Sequence, residues 1–311
     1  MTRLVEVPLD SAHLAKRCAQ SLACYVCERD NLRDTELCRD CSAPLALAEQ
    51  ARGRENLPQM IAALGSSGVG KTVYLGMLLD MLSRLPERLQ LLARGAFSVT
   101  LQQTTAAALA RCEFPAKTPL EPDRWDWVHC EARLPRRSHP LEFVIPDMAG
   151  ESLLAEIDHA HSYQVVRSFL SKANAALILL DAHRLQQSAL EEEFCGMKLL
   201  TYLGEVSAGA KRGWSARPVA VVFTKADQCE QCFADPVAFA KRHTPGLWRL
   251  CAERFERHCF FAAGVAGACT YRRTGAFGGR QWAPLRIEPR GIVEPFEWLV
   301  GQLGSQPLGR K

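Results

Sequence analysis

Two stretches of this chain have residue types and spacing suited to holding a nucleotide. Gly65-Ser66-Ser67-Gly68-Val69-Gly70-Lys71-Thr72 fits the pattern G-x-x-x-x-G-K-[ST]. Gly65 and Gly70 tolerate backbone angles that other residues resist, so successive N–H groups can turn inward on phosphates. Lys71 is then placed to reach the β and γ oxygens of a nucleoside triphosphate, and the Thr72 hydroxyl to ligate Mg²⁺. Far downstream, Thr224-Lys225-Ala226-Asp227 follows the apolar run Val219-Ala220-Val221-Val222-Phe223. A carboxylate at Asp227 accepts from guanine N1–H and the exocyclic amine, a pair of donors that adenine lacks. The aliphatic stem of Lys225 can lie along the base.

Between them, Leu141-Glu142-Phe143-Val144-Ile145-Pro146 runs into Asp147-Met148-Ala149-Gly150-Glu151, a strand ending in D-x-x-G. Asp147 is expected to hold Mg²⁺ through water, and the Gly150 N–H to meet the γ-phosphate, so the following loop can respond to hydrolysis. A last element, Phe260-Phe261-Ala262-Ala263-Gly264, again leads an apolar run into small residues, and the N–H groups at Ala262 and Ala263 are expected to meet the guanine carbonyl.

A second chemistry precedes these motifs. Cys24-x-x-Cys27 and Cys38-x-x-Cys41 are two thiolate knuckles of the spacing that presents four sulfurs to one Zn²⁺, with a redox dithiol pair as the alternative. The segment between them, Glu28-Arg29-Asp30-Asn31-Leu32-Arg33-Asp34-Thr35-Glu36-Leu37, is too polar to bury a core, so metal must hold it. A closed four-cysteine site leaves no open coordination position and suits an interaction module better than a catalyst. Cys229-x-x-Cys232 has no partner knuckle, and with Cys251, Cys259 and Cys269 reads as buried or free thiols; Cys18, Cys112, Cys130 and Cys195 read as small core residues.

The elements that must position these groups can be traced around them. Residues 59–64 read as a buried strand before the phosphate loop and residues 73–82 as the helix after it. The unbroken apolar run Ala175-Ala176-Leu177-Ile178-Leu179-Leu180-Asp181 reads as a parallel strand buried on both faces. Residues 125–134 and 141–146 read as antiparallel strands joined by a basic turn, and residues 293–303 as the last helix, entered through Glu294-Pro295. Arg272, Arg273, Arg280, Arg286 and Arg290, interleaved with Phe277 and Trp282, read as a solvated loop before that helix, with an anionic or protein docking surface as the alternative. His159 and His161 read as exposed. This divides the 311 residues into a tail and ribbon at 1–45, a polar helical linker at 46–57, a nucleotide-binding domain at 58–303 and a tail at 304–311. The net charge of +4 gives no reason to expect nucleic acid, and no apolar run is long enough to span a bilayer. Thirteen cysteines without a basic-then-apolar leader point to reduced thiols and a cytoplasmic setting.

The order phosphate loop, D-x-x-G, T-K-x-D and small-residue base loop resembles the Ras-like P-loop GTPases of the translation-factor class, over about residues 58–303. Within that class, Asp147-Met148-Ala149-Gly150-Glu151 and the Cys-rich N-terminus are similar to the double-GTPase proteins of bacterial conflict systems. The resemblance implies an α/β three-layer sandwich with a mostly parallel six-stranded sheet, GTP or GDP with Mg²⁺ as ligands, and a GTP-gated switch acting on a protein effector or a second GTPase. It also implies a switch threonine on Mg²⁺; position relative to the antiparallel pair points to Thr118, with Thr104 or Thr105 as alternatives. Two residues depart from the Ras pattern. Glu151 stands where many such enzymes have a water-orienting glutamine, so intrinsic hydrolysis is expected to be slow, and Ser67 replaces a glycine in the path of an arginine finger. The expected activity is slow GTP hydrolysis through Lys71, Thr118, Gly150 and Glu151. The rivals are a GTP-gated scaffold that does not turn over, and an ATPase.

Overall fold

The computed structural model describes residues 21–41, 43–52, 57–84, 89–115, 126–134, 139–159, 164–206, 216–274 and 279–304. Thr118, His161, Cys18, Phe277 and the basic turn at 135–138 lie outside them. Contacts divide the chain into two compact units, Met1–Leu57 and Pro58–Lys311.

In the small unit, strands β1 (Ser21–Ala23) and β2 (Asp30–Leu32) form an antiparallel pair, and helix α1 (Ala46–Ala51) follows. The segment expected to be a polar helical linker begins with this helix, but Leu47, Ala48 and Ala51 are buried and it packs on β1.

The large unit is built on a seven-stranded sheet in the order β4-β5-β6-β3-β7-β8-β9. The strands are β3 (Gln59–Leu64), β4 (Gln90–Arg94), β5 (Trp127–Arg133), β6 (Leu141–Pro146), β7 (Ala175–Asp181), β8 (Val219–Thr224) and β9 (His258–Ala262). Only β5 runs against the others. Six strands were expected; the seventh is the edge strand β4, which pairs with β5 over Gln90–Arg94. Helix α2 (Lys71–Arg84) precedes β4 and α3 (Ala96–Ala110) follows it. The two helices cross closely at Gly76, where a Cβ would lie 2.2 Å from the Thr105 hydroxyl.

Successive residues of a strand point to opposite faces, so a sheet covered on both sides must be apolar at every position. Ile61, Ala63, Leu177, Leu179, Ala220 and Val222 join one buried cluster with α2 and with Phe296, Leu299 and Val300 of the last helix, α11 (Glu294–Gly304). The intervening residues are covered from the other side by α4 (Gly150–Asp158), α5 (Gln164–Lys172), α6 (Ala182–Gln186), α7 (Leu190–Glu205), α8 (Glu230–Ala234), α9 (Pro236–His243) and α10 (Pro245–Arg254). There the Phe223 ring meets Phe239 of α9 at 4.9 Å, and Gly196 of α7 leaves no room for a Cβ beside Leu247 and Leu180.

The arginine-rich stretch expected to be a solvated loop is instead an antiparallel hairpin, β10 (Gly264–Thr274) with β11 (Gly279–Arg290), separate from the main sheet. The sequence concealed it because both its faces carry polar residues, so the alternation that marks a half-buried strand is missing.

Candidate functional site

The carboxyl ends of β3, β6 and β8 bring three of the expected motifs to one cavity of about 600 Å³. Its lining includes the phosphate loop from Ser67 to Thr72, Met148 to Glu151, and Thr224, Lys225 and Asp227. Openings at strand carboxyl ends are where open α/β sheets take ligands.

At the phosphate end, Gly68 and Gly70 adopt positive φ of 72° and 97°, the left-handed conformation that glycine alone holds without strain. The Lys71 ammonium, at the start of α2, donates to the Gly65 and Ser66 carbonyls at 2.9 and 3.2 Å. Burial holds its pKa below the usual lysine range, against the pull of the Asp147 and Glu151 carboxylates. The Thr72 hydroxyl donates to Asp147 at 3.0 Å. This pairs two hard oxygen ligands of the kind Mg²⁺ prefers. Gly150 is packed so tightly on the phosphate loop that a Cβ would sit 2.7 Å from Gly65 O, Ser66 C and Ser67 N. Glu151 lies in the first turn of α4 on the cavity wall.

At the other end, Lys225 takes a left-handed φ of 54° and donates to Asp181 at 2.6 Å, while the Thr224 hydroxyl donates to the Val69 and Leu180 carbonyls. Thr224 therefore ties this motif to the phosphate loop. The Asp227 carboxyl is raised above its usual 3.8, chiefly by burial, and accepts the Val265 N–H. The expectation for the base loop is corrected in part. The Ala263 N–H already donates to the Phe223 carbonyl at 2.8 Å, and Ala262 is absent from the cavity lining, leaving Ala263 as a wall rather than a free donor.

Thr104 and Thr105 sit in α3, Thr104 bonded to the Thr100 carbonyl and Thr105 fully buried against Gly76, so neither reaches the cavity. Thr118 lies outside the described residues, but Phe114 and Pro115, just before it in the chain, line the cavity.

Several positions here escaped the sequence reading. Glu192, only 1% exposed, accepts from Ser66 at 3.1 Å, from the Asp181 N–H at 3.0 Å and from Arg184 at 2.9 Å. With the Lys225–Asp181 pair, this forms a hydrogen-bonded chain from the phosphate loop to the T-K-x-D motif. Asp181 could have been found at the carboxyl end of its apolar run; Glu192, in the middle of Glu191-Glu192-Glu193, has no such marker. Tyr74, one turn into α2, is 2% exposed and donates to the Ile292 carbonyl at 2.9 Å, just after β11. Trp282 and Cys269 of the hairpin also line the cavity.

In the small unit, the four sulfurs of Cys24, Cys27, Cys38 and Cys41 lie within 4.8 Å of one another, with Cys24–Cys41 at 3.7 Å and Cys27–Cys38 at 3.5 Å. Four sulfurs about 2.3 Å from a central ion stand about 3.8 Å apart in a tetrahedron, so this set fits Zn²⁺. The Val26 N–H and the Asn31 amide point at the Cys24 and Cys38 sulfurs, contacts that support thiolate charge. Among the described residues no other such cluster occurs. Cys229 and Cys232 are buried, burial raising the Cys232 thiol well above its usual range, and Cys112 is half-buried rather than core.

Residues 62–194 match the family model described as Double-GTPase 1. The matched stretch runs from β3 through the phosphate loop and the D-x-x-G segment into α7. No curated protein matches the chain. Over that stretch the chain is similar to the double GTPases, which supports GTP binding and GTPase function. No helix among the described residues is long and apolar enough to cross a membrane.

Proposed function

We propose that this chain is a Ras-like, GTP-binding switch that hydrolyses GTP slowly, with Lys71, Thr72, Asp147 and Gly150 around the phosphates and Mg²⁺, and Asp227 on guanine. The observation that carries this reading is the single cavity shared by the phosphate loop, Met148 to Glu151, and Lys225 with Asp227. Mg²⁺ would sit with Thr72 and Asp147, joined by Thr118, and would neutralise charge on the β and γ oxygens. The placement of Phe114 and Pro115 on the cavity wall supports Thr118 as the switch threonine. Ser66 and Ser67 complete the phosphate cradle, and Zn²⁺ on the four cysteines would hold the ribbon as an interaction module. The effector, a protein or a second GTPase, would then read the segment that begins at Gly150, which is helix α4 rather than the expected loop.

Calorimetry with GTP and ATP tests the base assignment. GTP binds far more tightly, and Asp227→Asn shifts preference toward xanthosine nucleotides, whose 2-oxo group needs a donor. Comparable ATP and GTP affinities would overturn it in favour of an ATPase.

A second reading, a GTP-gated scaffold that does not turn over, draws on Glu151, whose carboxylate stands at the phosphate end near Lys71. Single-turnover release of labelled phosphate separates the two. Slow release that Glu151→Gln leaves unchanged or raises supports the switch. No release from either protein supports the scaffold. A fall of about 10²-fold or more in Glu151→Gln would make Glu151 a general base.

A further inference from the structure

The nucleotide-binding reading leaves one cavity wall unexplained. The β10–β11 hairpin follows directly from the base loop, and Val265, Ala266, Cys269 and Trp282 all line the same cavity as Lys225 and Asp227. Its first strand is built against the base-reading carboxylate. A Cβ on Gly264 would lie 2.5 Å from Asp227 Oδ1, and the Val265 N–H donates to the same group. Across the pair, Trp282 stands opposite Tyr271, whose ring meets the indole edge-on at 4.5 Å and fixes its orientation. The indole also contacts Cys269, a thiol raised to about 11 by burial and by the nearby Asp227 charge, which places Trp282 at the base end of the cavity.

We propose that Trp282 is a nucleotide-binding residue whose indole stacks on the guanine ring, so that the hairpin supplies the aromatic wall of the base pocket. The proposal rests on the guanine-nucleotide reading above. Guanine presents a flat, polarisable π face on which an indole stacks through dispersion and burial of apolar area, and the aliphatic stem of Lys225 offers a second surface in the same cavity. Tyr271 is 63% exposed and bears on the indole from outside, so it is a positioning residue. Phe114 is another aromatic on the cavity wall, and it lies in the segment between α3 and β5, not on the hairpin that orients Asp227.

Base stacking does not sense the γ-phosphate, and this separates it from every phosphate contact. In the full chain, Trp282→Ala and Trp282→Leu, the second keeping apolar bulk without a π face, should weaken GDP and GTP alike by about tenfold to a hundredfold. Their GTP/GDP affinity ratio should match the wild type, as should binding of inorganic tripolyphosphate. Trp282→Phe should retain most of the affinity. Of the six tryptophans, Trp282 should carry the fluorescence change on GDP binding, so Trp282→Phe abolishes that change while still binding. GDP affinity within twofold of wild type in Trp282→Leu would overturn the proposal and leave the guanine reading intact. So would a loss of affinity in Phe114→Ala that Trp282→Leu does not share. A wild-type protein that binds neither GTP nor GDP would overturn both.

Discussion

Between Cys24 and Cys41 the small unit leaves Leu32 and Leu37 roughly half exposed, and its buried side chains gather around the sulfurs and α1. The large unit buries strands on both faces, with Ile61, Ala62, Leu177 and Val221 at 1% exposure or less. With Zn²⁺ on the four sulfurs, as proposed, one unit would rely on a coordination sphere to order a polar segment, while the other relies on apolar area removed from water. The first kind of order would depend on a single ion and be lost as a whole. The second is spread over many contacts and yields in small steps.

The sharpest way to break that comparison is to remove one ligand. Cys38→Ser should eliminate metal binding, worth about 10–16 kcal/mol in comparable small domains, and unfold the small unit. Metal analysis and hydrogen exchange would show this, while GTP affinity stays within about twofold; loss of both together would show that the units are not independent. Next in size, Lys71→Ala removes the ammonium aimed at the phosphates and should lower GTP affinity by about a hundredfold, consistent with about 3 kcal/mol for a charged hydrogen bond, with the metal content unaltered.

Gly150→Ala tests how little slack the large unit has. The added methyl meets phosphate-loop backbone at 2.7 Å, so a loss of about 1–3 kcal/mol in denaturant unfolding is expected. The pH dependence of binding comes next. On the proposed reading the ionised Asp227 carboxylate accepts from guanine, and its pKa is raised above 3.8, so as pH is lowered GDP affinity should fall, by up to about tenfold per pH unit, starting at higher pH than for an ordinary aspartate. Asp227→Asn should flatten that profile. Smallest is Gly301→Ala in α11, where nothing lies within 4 Å of the new methyl; it should raise stability by about 0.5–1 kcal/mol. A loss there would mean that α11 is packed more closely than Gly301 indicates, and no loss at Gly150 would mean that the phosphate loop has more slack than Gly150 indicates.

The parts legible in the sequence were those whose local pattern and tertiary role agree. The strands of the doubly covered sheet, β3, β7 and β8, are continuous apolar runs, and Asp147, Lys71 and Asp227 stand at motif positions fixed by backbone geometry. Edge strand β4 is hidden because Gln90-Leu91-Leu92-Ala93-Arg94 is short and lacks the alternation of a half-buried strand. The hairpin owes its form to cross-strand pairing more than to any run of apolar side chains, so in the sequence Trp282 reads as a loop aromatic. Glu192 shows the remaining limit, since a buried carboxylate is identified only by the Ser66, Asp181 and Arg184 groups that come to it from elsewhere in the chain.

The way the hairpin is anchored bears on how long a nucleotide stays. Its entry is tied by the Ala226 N–H to the Ala263 carbonyl at 3.1 Å and by Gly264 against Asp227. Its exit is tied by Tyr74 to Ile292, next to Gly291, which at φ 67° leaves no space for a Cβ beside the Ala262 carbonyl. With this wall fastened at both roots, a bound nucleotide, on the reading proposed above, would be released by movement of the other lining segments, Met148 to Glu151 or Phe114 and Pro115. An exchange partner would gain its leverage there, prising at the phosphates and leaving the base until last.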